Sequence, residues 1–149
     1  MNPDRGGRNV GIFHKTKKPS IVIIGCGHFG YPIVQYLLEQ DIRLTVIDAN
    51  PEVFAKIPLS LNGLMVTGDG TDPDTLDAAG IIGADAVIAA TNDDAANIMI
   101  AQMVKQRYHI DQVIARLYDT SKEKTYRELG VQVINPAMLF TNACLQTWN

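Results

Sequence analysis

The segment Gly25-Cys26-Gly27-His28-Phe29-Gly30 has the spacing G-x-G-x-x-G and stands between the apolar run Ile21, Val22, Ile23, Ile24 and an amphipathic stretch. In that setting each glycine has a task. The first permits a tight turn, the second leaves room for a pyrophosphate, and the third lets a helix pack close to its strand. Free N–H groups and the positive dipole end at the start of the following helix attract phosphate oxygens. Alone, the spacing also fits an ordinary glycine-rich turn between strand and helix. Asp48 adds to its meaning, because it closes the second apolar run, IRLTVID, about 20 residues past the loop, where a carboxylate accepts the ribose hydroxyl protons of an adenosine. An acid at that point repels a 2′-phosphate and so disfavours NADP.

The elements that must hold these residues read as an alternation. Short apolar runs, SIVIIG, IRLTVID, GLMVTGD, DAVIAAT, QVIARL and VQVI, are separated by helical stretches: His28 to Gln40, a short one after Asn50, another after Asp72, a long one from about Asp93 to Tyr108, Thr120 to Leu129, and a last one after Asn135. Such spacing leaves room only for crossover connections, and near-continuous Ile/Val runs are buried on both faces of a sheet, so the strands are parallel. Right-handed crossovers then build an α/β fold, a Rossmann-like three-layer α/β/α sandwich with a six-stranded parallel sheet. Asn50-Pro51, Asp72-Pro73 and Asn135-Pro136 each set an N-cap residue before a proline at the first helical position. Thr120 and Glu123 have the spacing of a capping box.

The chain has 149 residues, of which 46% are apolar and 19% charged, enough for one core and without a run long enough to span a membrane. The net charge of −3 divides unevenly. Residues 1–19 carry Arg5, Arg8, Lys15, Lys17 and Lys18 against Asp4 and lack apolar periodicity, so they read as a flexible basic tail or linker. Residues 20–149 form the folded domain with a charge of −7 and no Lys or Arg between Lys56 and Lys105, which gives no footing for nucleic acid. Two widely separated cysteines, Cys26 and Cys144, and no secretory segment indicate the cytoplasm.

The third unit is more specific. Gly68-Asp69-Gly70-Thr71-Asp72-Pro73, followed by Leu76 and Ala79-Gly80-Ile81, resembles the third-strand motif of the TrkA-N family, also called the RCK or KTN domain of Trk, Ktr and Kef potassium systems. The glycine loop, Val46-Ile47-Asp48-Ala49-Asn50-Pro51, the stretch from Asp85 to Asp94, Val113-Ile114-Ala115-Arg116, Leu129-Gly130-Val131 and Pro136 are similar to the same family in the same order, over about residues 20–142. The resemblance implies an adenine-nucleotide pocket at the carboxyl ends of the strands. It places Gly25, Cys26, Gly27, His28, Phe29 and Gly30 around the phosphates and Asp48 with Ala49 at the ribose. It sets Asp69, Gly70 and Thr71 beside the adenine, Ala90 and Thr91 across the cleft, and Arg116 near the phosphates. No metal or catalytic residue is implied.

His28 stands where several members carry Arg or Lys, which weakens the case for a triphosphate, so NAD(H) leads and ATP, ADP or AMP remain alternatives. The chain stops soon after the sixth unit, so ligands read by an additional C-terminal lobe are not expected. The implied role is a non-enzymatic regulatory subunit or domain, in the cytoplasm at the inner face of the plasma membrane, that gates a potassium channel or transporter. An NAD-dependent oxidoreductase or other nucleotide-using enzyme sharing the cleft is the alternative; it would need a general acid or base that the strand ends do not offer. In the resembled family the last helix helps form subunit contacts, which implies a homo-oligomer; Met138, Leu139, Phe140, Leu145 and Trp148 crowd that helix with apolar surface that suits either such a contact, with Trp148 foremost, or ordinary core packing. Cys26 at a helix N-terminus suits either a thiol of lowered pKa that senses redox state or a small residue in a tight loop. The acids Asp69, Asp72, Asp74, Asp77, Asp85, Asp93 and Asp94 suit capping better than a divalent cation.

Overall fold

The computed structural model describes residues 18–58 and 63–148. Six parallel strands form one sheet: β1 (Ser20–Ile24), β2 (Arg43–Asp48), β3 (Gly63–Thr67), β4 (Ala86–Ala89), β5 (Val113–Arg116) and β6 (Gln132–Ile134). Between and after them run α1 (Gly30–Leu37), a 3-10 segment (Pro51–Lys56), α2 (Pro73–Ala78), α3 (Asp94–Tyr108), α4 (Glu123–Glu128) and α5 (Pro136–Trp148). The strand order is β3-β2-β1-β4-β5-β6. Order therefore reverses between β1 and β4, and the crevice beyond their carboxyl ends is where such sheets take ligands.

Alternation along each strand sends side chains to two cores. Val22, Ile24, Ile47, Val87, Ala89, Val113 and Ala115 join Leu76 of α2 and Ile98, Ile100, Ala101 and Val104 of α3 on one face. Ile23, Leu44 and Val46 meet Val34 of α1 and Ile57 on the other, with Val53 and Phe54 of the 3-10 segment beside them. Three layers result, as the alternation predicts.

Element ends follow the caps, with three departures. The Asn50, Asp72 and Asn135 side chains accept from the amides of Glu52, Asp74 and Met138, and Asp93 caps α3 through Ala95 and Ala96. The first helix is shorter than the expected 28–40. Its last bonds run from Glu39 and Gln40 to carbonyls three residues back, a tightening common at helix ends. The segment after Asn50 is 3-10 throughout. The expected helix from Thr120 splits because Asp119, not Thr120, caps it, accepting from the Ser121 amide and hydroxyl and closing a 3-10 turn over Thr120–Lys122 before α4 begins. Glu123 then pairs with Arg127 one turn on, at 2.9 Å, instead of completing a capping box.

Of the basic tail, residues 1–17 lie outside the described residues. Pro19 already accepts from the Arg43 amide at 2.8 Å, and Lys18 pairs with Asp41 at 3.0 Å. At the other end, α5 buries no side chain; Phe140 is 73% and Trp148 80% exposed, with Met138, Leu139 and Leu145 also exposed. Among the described residues no helix is long and apolar enough to cross a membrane.

Candidate functional site

A cavity of about 280 Å³ opens at the reversal of strand order, lined by Ile24, Gly25, Gly27, Ile47, Asp48, Ala49, Asn50, Val53, Ala90, Thr91 and Asn92. Its floor is the carboxyl edge of the sheet. Gly25 turns with φ +99°, and a Cβ there would lie 2.7 Å from the Ala90 carbonyl carbon and the Thr91 nitrogen, so the loop is pressed against the opposite wall at a distance only glycine permits. Gly30 packs closer still on the Gly25 carbonyl, which brings the start of α1 onto β1. At Gly27 an added Cβ would make only ordinary van der Waals contact, 3.7 Å from Asn92 Oδ1.

Asp48 braces the loop from β2. Its Oδ2 accepts the Cys26 amide at 2.7 Å and its Oδ1 the Asn50 amide at 2.9 Å. A carboxylate has about four acceptor positions, so two amide bonds leave capacity on the side that faces the cavity. Cys26 is buried between loop and core. Burial first, and then the Asp48 charge, push its thiol pKa above the ordinary 9.0, with Lys56 opposing. The redox-sensing alternative for Cys26 is therefore disfavoured: the helix begins four residues later, at Gly30, and a desolvated thiol beside a carboxylate holds its proton.

The far wall depends on a residue the sequence reading did not single out. Asn97, fully buried in α3, accepts the Thr91 amide at 2.9 Å and the Thr91 hydroxyl at 2.6 Å, and donates to the carbonyls of Thr91 at 3.1 Å and Arg116 at 3.0 Å. It ties the β4 loop to β5. A signal was present, since Asn97 shares the apolar stripe of α3 with Ala101 and Val104 at helical spacing, and a polar residue there must find partners. Ile24, Ile47, Asn50, Val53 and Asn92 also line the cavity and were missed; all but Val53 directly adjoin a residue that was chosen.

The expected residues divide. Gly25, Gly27, Asp48, Ala49, Ala90 and Thr91 meet at the cavity. His28 and Phe29 are exposed on the turn before α1. Asp69 and Thr71 form a turn past β3, where the Thr71 hydroxyl and amide bond Asp69 Oδ1 at 2.7 and 2.8 Å and lower that carboxyl's pKa. That turn does not line the cavity; its Gly70 is fixed by contact with Ile24 and Ile100, where a side chain would collide. Arg116 lies under the rim, nearly buried. Its Nε donates to the Thr91 carbonyl at 3.0 Å, an Nη stands 3.4 Å from Asp94, and the guanidinium sits 5.1 Å from the Phe29 ring centre. Several of the acids have structural tasks: Asp85 accepts the Ser20 amide, Asp77 the Tyr108 hydroxyl, and Asp94 the amides of Tyr118 and Asp119.

This sheet order, with a carboxylate and a glycine loop facing one crevice, is accompanied by a match of residues 21–136 to the TrkA-N domain. The chain belongs to the TrkA-N family. Over 114 residues this TrkA-N domain is 38% identical to the Trk system potassium uptake protein TrkA of Streptomyces coelicolor, covering 76% of this chain and 51% of that protein. Over 117 residues it is 32% identical to the glutathione-regulated potassium-efflux system protein KefC of Escherichia coli, covering 78% of this chain and 18% of the other. Thus it spans about half of one relative and less than a fifth of the other. Among solved structures, GsuK bound to ADP is 27% identical with a TM-score of 0.71, over 90% of this chain and 35% of that one. The AMP-bound Kef C-terminal domain of Shewanella denitrificans, 23% identical with a TM-score of 0.70 over 87% and 82% of the two chains, shows the same fold.

Proposed function

We propose that the cavity binds the adenosine portion of an adenine nucleotide, NAD(H) first, with AMP, ADP or ATP as alternatives, and that the domain is a regulatory module of a potassium channel or transporter. The observation that carries this is Asp48, which faces the crevice while clasping the glycine loop through the Cys26 amide. Its spare lone pairs would take the ribose hydroxyls, and the amides at the start of α1 would meet the phosphates. Ala90 and Thr91 would form the opposite wall, with Arg116 behind the phosphates. The GsuK structure with ADP and the potassium-transport relatives support the reading.

A sensor and not an enzyme is the role favoured here. Among the described residues lining the cavity, Asp48 is the one ionisable side chain, and it is committed to two amides, so no group stands ready for proton transfer. Residues 20–149 would form the sensing domain, on the cytoplasmic side, with the basic segment 1–19 as a linker near the inner face of the membrane. The exposed, uncharged α5 would pair with a second copy of this chain, making the homo-oligomer through which a small ligand bias is multiplied.

Calorimetric titration with NAD+, NADH, AMP, ADP and ATP tests the site. At least one is expected to bind, with at least a tenfold loss in Asp48→Ala. Absence of heat with all five, or undiminished binding by Asp48→Ala, refutes the assignment.

A further inference from the structure

We propose that Arg116 and Asp94 relay the state of the cleft to the start of α5; this rests on the nucleotide reading above and adds the route by which occupancy is transmitted. The route consists of contacts already in place. Arg116 touches the cleft twice, through its bond to the carbonyl of Thr91, which lines the cavity, and through the ring of Phe29, which precedes α1 at the phosphate end. Its guanidinium then stands 3.4 Å from Asp94 Oδ1. Asp94 in turn holds the backbone beyond β5, accepting the Tyr118 amide at 2.9 Å and the Asp119 amide at 2.8 Å. The carbonyl of Tyr118 accepts from Asn135 Nδ2 at 3.1 Å, and Asn135 Oδ1 caps α5 at the Met138 amide, also at 3.1 Å.

From Asp94 onward each link is a directional hydrogen bond, and the last one governs an element that has little else to hold it. Since α5 buries no side chain, its N-terminal anchorage sets the direction in which it leaves the domain.

The first link is also the one a ligand can change. A charge-assisted N–H···O bond is normally about 2.7–2.9 Å, so at 3.4 Å the guanidinium is close to Asp94 without being locked onto it. A phosphate at the glycine loop offers a competing anion on the Phe29 side. With its counter-charge drawn toward the phosphate, Asp94 retains only the two amides, and the 118–119 segment and Asn135 shift with it. Linkage makes the effect mutual: whatever engages α5 changes nucleotide affinity by the same factor.

Trp148, the single tryptophan of the chain, sits exposed at the end of α5 and reports on it directly. The full chain is titrated with AMP and with NAD+, following heat for binding and Trp148 emission for α5. Emission is expected to change with the same midpoint as the heat. In Asp94→Asn, heat persists while the emission change falls at least fivefold. Asn135→Asp keeps an acceptor for the Met138 amide and removes the donor to Tyr118, and the same fivefold loss is expected. Circular dichroism confirms the fold of each, and either variant alone decides the point. Binding by the native chain without an emission change, or an emission change that survives in a folded variant, overturns the relay. If neither AMP nor NAD+ gives heat, the titration is repeated with NADH, ADP and ATP, and absence of heat from the native chain with all five refutes the nucleotide reading itself, a separate result.

Discussion

Replacing Asn97 by alanine removes four hydrogen bonds from the wall of the cleft, and the structure indicates which of them matter. The Thr91 carbonyl keeps its bond from Arg116 Nε, and the Thr91 hydroxyl keeps the Asp93 carbonyl at 3.2 Å. The Thr91 amide and the Arg116 carbonyl lose the Asn97 partner. A buried polar group left unpaired costs about 1–3 kcal/mol, which applies in full to the Arg116 carbonyl and only in part to the Thr91 amide at the cavity wall, so the working value is about 3 kcal/mol. For a domain of this size that lowers Tm by about 8–15 °C. Urea unfolding provides the assay: the midpoint should fall while the slope m stays constant, which marks a change in stability and not in the unfolded chain. Thr91→Val, which removes the hydroxyl alone, should cost about 1 kcal/mol. If Asn97→Ala costs less than about 1 kcal/mol, the view that Asn97 fastens the β4 loop to β5 is wrong.

Gly25→Ala must place a Cβ at positive φ and 2.7 Å from the Ala90 backbone; it should destabilise by at least about 2 kcal/mol and abolish nucleotide binding, whereas unfolding and calorimetry unchanged from the native chain would contradict the close approach. The Cys26 thiol should react with iodoacetamide at pH 7.5 more slowly than Cys144, and equal rates would count against its burial. Because the folded state binds the Cys26 proton more tightly than the unfolded state, this contribution to stability is full below the ordinary pKa of 9.0 and fades as pH rises through the raised folded value. The urea midpoint should therefore decline above pH 9 less steeply in Cys26→Ala. Phe140→Asp should lower the mass measured by light scattering if α5 pairs with a second copy; an unchanged oligomer would place that contact elsewhere.

Much of the fold is legible in the chain because its determinants are local. The Ile/Val runs, the crossover lengths and the caps at Asn50, Asp72, Asp93 and Asn135 act over a few residues, and they suffice for a parallel sheet with helices on both faces. At Asp119 the same local rules misplace a boundary by one residue, because two adjacent residues could each cap and the one that also reaches the Ser121 hydroxyl prevails. Gly25, Gly27 and Asp48 could be assigned to the site from spacing, since a β-turn-α unit places them at one edge of the sheet wherever it occurs.

Distances between units required the tertiary structure. The family resemblance treats Gly70 as part of a ligand segment, whereas packing shows it making room for Ile24 and Ile100. Composition presents Arg116 as a cation in an acidic body, whereas the fold holds it between Thr91, Asp94 and the Phe29 ring. The importance of Asn97 arises entirely from bringing β4 and β5 side by side. By itself the sequence determined which elements form and that Gly25, Gly27 and Asp48 stand at one edge of the sheet, because those depend on neighbours along the chain. Only the tertiary structure decided which groups are committed to one another across it, because a hydrogen bond or an ion pair between units exists only once packing has fixed both partners within about 3 Å.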